Sequence, residues 1–430
     1  MVTKPWGVKL CSDLGIGDRL RGTNPATKKT YILKDEKLHE LPGGLTMMIP
    51  TEFGPMIRTG LLSWTDKVRM GLDFLLPSAA VNGDETLGAF VTRRLGRSAY
   101  ENLIEPLMSG IYAGDGDKLS LQSTFPYLRD LELEHGGLVK GALVLRRERS
   151  RRARAEGKSP TPTPGSRSIF QTPLTGMAEI VEALVQTIGA FGVQLRLRSP
   201  VKIIGNTSDG YSIQLMNGEI ITADGVILAT PSFTAAELLE NIAPNLAAEL
   251  RPIVYVSTAT VSMAYQESEL PRALDGYGYV IPRREGRKAL ACTWTSIKFP
   301  HRAPKEHALV RVFNGRAGQG DKIHWDEDGL LEVAREELSK TLGITAHPLL
   351  TRVYRWDKAM PQYNLGHPER LLRIVNMLKG YSGLALAGNA YQGIGIPDCI
   401  HSGEIAAQKI SLDVNIENPH NSTEVRKQTL

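Results

Sequence analysis

Apolar residues along this chain change their spacing several times, and the changes divide it. In "KPWGVKLCSDLGIGDRL" (4–20), Val8, Leu10, Cys11, Leu14 and Ile16 keep a helical rhythm that closes on Gly15 and Gly17. "YILKDEKLHELP" (31–42) alternates instead and predicts two strands around a charged turn at 34–37. From 63 to 144 the helical spacing dominates. "SWTDKVRMGLDFLLP" starts at Ser63 or Thr65, both capping residues, stops before Pro77, and sets Val68, Leu72, Leu75 and Leu76 on one side. "DETLGAFVTRRLGRSAYENLIEP" continues with Leu87, Phe90, Val91 and Leu95, then Tyr100, Leu103, Ile104 and Leu107. These stripes read most simply as the core of a helical domain. The sharper alternative has part of that face lining a large ligand pocket or meeting a lipid surface.

After 170 the periods mix. "GMAEIVEALVQTIGAFG" predicts an amphipathic helix carrying Met177, Ile180, Val181, Leu184, Val185 and Ile188. Strands are expected at "VQLRLR", "VKIIG" and "YSIQLM", then a hairpin turn at Asn217 and Gly218, then "EIITA" and "GVILATP". Further strands are expected at "YVSTATVSMAY", "YGYVIP", "ALACTWTS" and "ALVRVF", with a helix at 328–342. This is α/β (mixed α+β) material with an inserted antiparallel layer and a separate helical domain. No internal repeat is visible.

Composition adds limits. The chain has 430 residues, enough for two or three interleaved domains, and is 42% hydrophobic and 23% charged. Its net charge of +5 gathers at 146–167, in "LRRERSRRARAEGKSPTPTPGSRS". Charge followed by Pro, Gly and Ser predicts a solvated, disordered loop over 145–169, with attraction to anionic lipid as the minority reading. No basic face interleaved with aromatics suggests nucleic acid. Cys11, Cys292 and Cys399 are too scattered for a disulfide framework or a metal site, and the nine histidines form no HExxH or HxH pair. No apolar run approaches the ~18 residues of a membrane span, and "MVTKPWGVKL" lacks a signal peptide's apolar region. A cytoplasmic protein, or one peripheral to a membrane, is expected.

The chemistry concentrates near the end, in "LALAGNAYQGIGIPDCIHSGEIAAQKI" (384–410). A short strand of small residues, a glycine-rich turn and a helix opened by Pro397 follow one another. Gly393 and Gly395 let backbone approach a flat ligand. The free N–H groups at the helix start would stabilise a carbonyl or developing anion, which suits the N1–C2=O edge of a flavin better than a pyrophosphate. Many strand–Gly–helix turns are purely structural, and spacing alone leaves that reading open. For Asp398 a helix-start cap, and for His401 a surface role, are favoured over catalysis.

This motif resembles the C-terminal flavin contact of the oxygen-dependent protoporphyrinogen/coproporphyrinogen III oxidases, FAD enzymes of haem biosynthesis with the p-hydroxybenzoate-hydroxylase and amine-oxidase type of fold. "RRLGRSAYENLIEPLMSGIYAGDGDKLS", "GVILATPSF", "GYGYVIPRREGRKALACTWTSIKFPHRAP" and "RWDKAMPQYNLGHPERL" are similar in the same order. The resemblance implies FAD as cofactor, a porphyrinogen substrate and dioxygen as acceptor. It implies that Val201 meets the adenine, that Ile394, Gly395 and Ile396 sit at the pyrimidine edge of the flavin with Gly388 and Asn389 beside it, and that Trp356 lies near the flavin unless it packs in a core. It divides the chain into parts of the FAD-binding and substrate domains (1–62, 170–250, 375–412), a helical substrate- and membrane-proximal domain (63–144), the basic loop (145–169), an antiparallel substrate-binding sheet (251–374) and a disordered tail (413–430). A peripheral membrane contact and a homodimer are partners this reading allows. Some relatives offer an arginine to a propionate near the position of Thr46, a departure that favours the bacterial branch, several of whose members oxidise coproporphyrinogen III.

Such relatives begin with a strand–GxGxxG–helix unit that holds the FAD pyrophosphate, and no stretch here matches it. The dinucleotide-binding Rossmann-like domain is therefore expected to be incomplete in this sequence by roughly sixty residues. Either the natural start lies upstream, the favoured reading because the other motifs are intact, or the chain is a non-catalytic remnant. Both predict poor FAD binding, an open sheet edge and uncovered apolar faces. Another flavin oxidoreductase of the amine-oxidase type remains the alternative.

Overall fold

The alternation at 31–42 becomes a hairpin. Strands Tyr31–Lys34 and Lys37–Glu40 pair antiparallel, and Asp35 and Glu36 take φ of 48° and 62°, the left-handed turn whose twist suits a two-residue loop. The computed structural model describes residues 4–46, 48–79, 83–155, 168, 170–319 and 326–414. Within them the hairpin is the end of a seven-stranded sheet. Its order runs Leu350–Pro361, Tyr255–Gln266, His307–Asn314, Ala289–Trp294, Gly278–Val280, Tyr31–Lys34, Lys37–Glu40, and only the Gly278–Val280/Tyr31–Lys34 pair is parallel. One face is fully apolar: Val261, Met263, Val310 and Val312 are inaccessible and pack with Leu330, Ala334 and Leu338 of the helix Glu327–Leu342. That helix starts where Asp326 accepts from the Gly329 N–H at 2.8 Å.

The helical stripes form their own core, in which Leu87, Phe90, Leu103 and Met108 are fully buried, each worth about 1.5–3 kcal/mol. It also holds charge. Arg94 donates from Nε to Asp73 Oδ1 at 2.6 Å and from Nη2 to the carbonyls of Asp73 and Gly136, with both side chains inaccessible. The stripe of 63–77 does not join this core. Ser63 caps the helix Trp64–Gly71 and Asp66 closes the box, but Val68 is 66% and Leu75 80% exposed. The chain tightens into a 3₁₀ turn at Leu72–Phe74, and the 3.0-residue pitch carries Asp73, not the leucines, inward to Arg94.

Two further expectations are corrected. The helix Leu138–Ala155 runs through the stretch expected as a loop from 145, because Arg, Ala, Leu and Glu are strong helix formers and Arg146 anchors it to the Thr51 carbonyl and Glu52. Residues 156–167, the rest of that stretch except Ser168, lie outside the described residues, as does the tail from 415; Asp413 still belongs to a helix. "VQLRLR" (193–198) forms no strand, and Val193, Leu195 and Leu197 are exposed. Alternation marks two faces but cannot supply a backbone partner. The strands after it do form, as a meander of Val201–Thr207, Gly210–Leu215 and Ile220–Ala223.

The element that positions the site is smaller. Val226–Leu228 and Leu384–Leu386, far apart in sequence, pair in parallel as a two-stranded sheet. The helices His367–Leu378 and Ile396–Asp413 flank it and leave an apolar cleft of about 690 Å³. Around it Ile227, Leu372, Val375 and Ile405 are exposed, as is the predicted apolar face of the helix Ala178–Ala190 at Val181 and Val185.

Candidate active site

The glycine-rich turn leaves the strand Leu384–Leu386 and crosses to the helical core, against which Ile394 packs. Asp398 organises it. Its Oδ2 accepts from the Gly395 N–H at 3.3 Å, and its Oδ1 takes an ion pair from Lys4 at 2.6 Å. This confirms a helix-start cap for Asp398 and leaves the N–H groups of Ile396 and Asp398 as the remaining donors at that end. Gly393 has φ +84°, and a Cβ there would lie 2.4 Å from Asp398 Cγ, so the turn closes on the carboxylate only with glycine. Gly388, at φ +118°, donates to Ser402 Oγ at 3.0 Å. His401 is only partly exposed, stacked on Trp6 at 4.0 Å and 5°.

Behind the turn stands a group that motif reasoning missed. Tyr363 donates to the Asn389 carbonyl at 2.6 Å and stacks on His367 at 4.4 Å. His367 Nε2 lies 3.1 Å from the Tyr391 carbonyl, which only accepts, so this nitrogen carries the proton. Burial lowers the His367 pKa, the bond to Tyr391 opposing it, and the ring is neutral at pH 7. Burial also pushes the Tyr363 and Tyr391 hydroxyls well above their ordinary value, so both stay protonated. Lys4, Tyr363 and His367 come from opposite ends of the sequence. The only hint was the phrase "PQYNLGH", which supplies two of them.

Two hydroxyls here are buried without partners: Thr230 Oγ1, just after Val226–Leu228, and Tyr391 Oη, five residues after Leu384–Leu386. Both follow the carboxyl ends of the parallel pair, where open α/β sheets hold their ligands. An unsatisfied buried hydroxyl costs about 1–3 kcal/mol unless something bonds it.

The other expected residues fall into place unevenly. Val201 opens the meander and packs in the same core as Leu386 and Tyr391. Asn389 donates from Nδ2 to the Ala359 carbonyl at 3.3 Å. Trp356, three residues before Ala359, is 52% exposed on the edge strand, so core packing is excluded for it. Ile396 is half-exposed at the helix start.

Comparison with known proteins decides the family. Residues 3–411 match the model of the flavin containing amine oxidoreductases. The chain belongs to this family. It is 36% identical to coproporphyrinogen III oxidase of Bacillus subtilis over 93% of its own length and 82% of that protein's. Human protoporphyrinogen oxidase is 28% identical over 93% of the chain and 83% of its own length. Among solved structures, a putative protoporphyrinogen oxidase from Exiguobacterium superposes with a TM-score of 0.82 at 30% identity, covering 96% of this chain and 86% of that one. As a member of the flavin amine oxidoreductases the chain is an oxidoreductase. Among the described residues no helix is long and apolar enough to cross a membrane, and no cluster of acidic, His or Cys side chains could hold a metal.

Proposed function

We propose that the chain oxidises a porphyrinogen, coproporphyrinogen III in preference to protoporphyrinogen IX, with FAD as cofactor and dioxygen as final acceptor. The observation that carries the reading is the 36% identity to the Bacillus subtilis coproporphyrinogen III oxidase across 93% of the chain, against 28% to the human protoporphyrinogen oxidase. FAD, when bound, supplies the two-electron acceptor that dioxygen reoxidises to yield hydrogen peroxide, round after round until the macrocycle is aromatic.

The residues fit that group. The partnerless hydroxyls of Thr230 and Tyr391 supply polar contacts at the carboxyl ends of the parallel strands. Val201 would take the adenine end, and Gly388, Asn389, Ile394, Gly395 and Ile396 the ring end, with Trp356 toward its substrate side. The helix start at Ile396 holds partial positive charge where charge accumulates on the ring. Tyr363 and His367, both uncharged, hold the turn at Asn389 and Tyr391 without adding a competing charge. The protein thus binds and orients, and no side chain here is assigned as a base.

The open pair Val226–Leu228/Leu384–Leu386 and the apolar cleft beside it support a site that a dinucleotide-binding βαβ unit would complete. The exposed Trp64, Val68 and Leu75 support a peripheral lipid contact for the helical domain. The reading is tested by incubating the protein with FAD and either porphyrinogen in air, following porphyrin fluorescence and peroxide together. Oxidation of cyclic amines but of neither porphyrinogen would replace it with the amine-oxidase alternative.

A further inference from the structure

The seven-stranded sheet has a second face, and the strand register lines its side chains into rows. Arg311 lies across from Ser262 on one side and Thr293 on the other, and Ser262 lies across from Arg352. Two residues along each strand, Phe313 lies across from Thr260 and Ala291, and Thr260 from Tyr354. Directly opposed residues share a face, as do residues two apart in a strand. A cationic row therefore runs beside an aromatic row, roughly 7 Å away.

This face leads back to the candidate site. Val256, Ala291, Phe313 and Met360 pack with Ala113 of the helical domain, and Asn389 bonds the carbonyl of Ala359. Passing from the glycine turn along the strands, one meets an apolar patch, then the aromatic row, then the cations. Arg302, beyond the strand Ala289–Trp294, adds a third guanidinium, with Nη2 bonded to Thr172 Oγ1 at 2.7 Å and the Pro173 carbonyl at 2.9 Å. Arg311 Nε donates to Ser262 Oγ at 3.1 Å, and Arg352 to the Thr351 carbonyl at 2.8 Å. Among the described residues none of the three is paired with a carboxylate; Glu179, whose charge Arg302 feels, is bonded by Arg19. Burial and then the like charge of Arg311 lower the pKa of Arg302, which marks the two as neighbours. Uncompensated cations held together repel one another, and an anion placed among them relieves this.

We propose that Arg311 and Arg352, with Arg302 at the sheet's end, form a carboxylate subsite that takes the propionate arms of the macrocycle while its rings lie over Phe313 and Tyr354. The proposal rests on the porphyrinogen reading above and names how that substrate is recognised. Guanidinium groups match carboxylates in paired hydrogen bonds that lysine cannot copy, and an aromatic floor suits a flat apolar ligand.

The test is titration of the protein with coproporphyrin III and with its fully methylated ester in the same mild detergent, read by tryptophan quenching. Arg311→Gln and Arg352→Gln should each weaken the free acid about ten- to a hundredfold, Arg311→Lys should recover part of the loss, and the ester should bind all forms alike. Arg196→Gln, whose partner Glu219 lies in the meander hairpin, should change nothing. Free acid bound equally by wild type and both glutamine variants, or an ester that weakens in parallel with the acid, overturns the subsite while leaving the porphyrinogen reading standing. Failure of the wild type to bind either porphyrin overturns both.

Discussion

Gly393→Ala probes the turn at its tightest point. The residue sits at φ +84°, where a Cβ costs about 1–2 kcal/mol. The added methyl would lie 2.4 Å from Asp398 Cγ and 2.8 Å from its Cβ. Asp398 cannot swing aside without giving up the Gly395 N–H and the Lys4 ion pair, a capping loss of about 0.5–2 kcal/mol. Remaining in place means overpacking of about 1–3 kcal/mol. Together these give about 3–5 kcal/mol. Gly286→Ala is the comparison, because Gly286 has a similar φ of +65° with nothing within 4 Å, and should cost only the backbone share of about 1–2 kcal/mol. Urea unfolding of the three proteins measures the difference, and FAD titration should show weaker binding for Gly393→Ala alone. If Gly393→Ala is no more destabilising than Gly286→Ala and binds FAD like wild type, Asp398 does not organise this turn.

Arg94→Met strands the buried Asp73 carboxylate and should cost about 3–5 kcal/mol in thermal or urea unfolding; a loss under about 1 kcal/mol would mean that pair is solvated. Tyr363→Phe removes the 2.6 Å bond to the Asn389 carbonyl and should cost about 0.5–1.5 kcal/mol, with weaker FAD binding. His367 has a folded pKa below its unfolded value near 6.5, so its contribution is intact above that pH and falls away as pH drops through it. His367→Gln should flatten the stability–pH curve between about pH 6.5 and 5; an unchanged slope refutes the burial argument. A dinucleotide-binding unit fused ahead of Lys4 should tighten FAD binding and cover the cleft, seen as lost binding of a hydrophobic dye.

Much of the fold is legible in the residues because local rules and tertiary packing agree. The hairpin at 31–40 needs only alternation and a two-residue turn, and the helix at Trp64 only Ser63 and Asp66. Where they part, the reading fails for nameable reasons. The stripe of Val68, Leu72 and Leu75 is helical in spacing, but a 3₁₀ turn rotates Asp73 inward instead. The run after Leu145 looks like a solvated loop by charge, yet its residues are good helix formers continuing a helix already nucleated at Leu138. "VQLRLR" alternates like a strand, but no neighbour is there to pair with it. The site divides the same way. The glycine turn is contiguous and visible, whereas Lys4, Thr230 and Tyr363 meet it only through folding, and the arginine rows exist only once strand register is known.

The account stands most directly on one rate. The protein, with excess FAD or the fused dinucleotide unit, should convert coproporphyrinogen III to fluorescent coproporphyrin III in air, faster than protoporphyrinogen IX. That conversion should stop without oxygen or FAD and produce peroxide in step. A rate no higher than that of FAD and substrate alone, from protein shown to hold FAD, contradicts it.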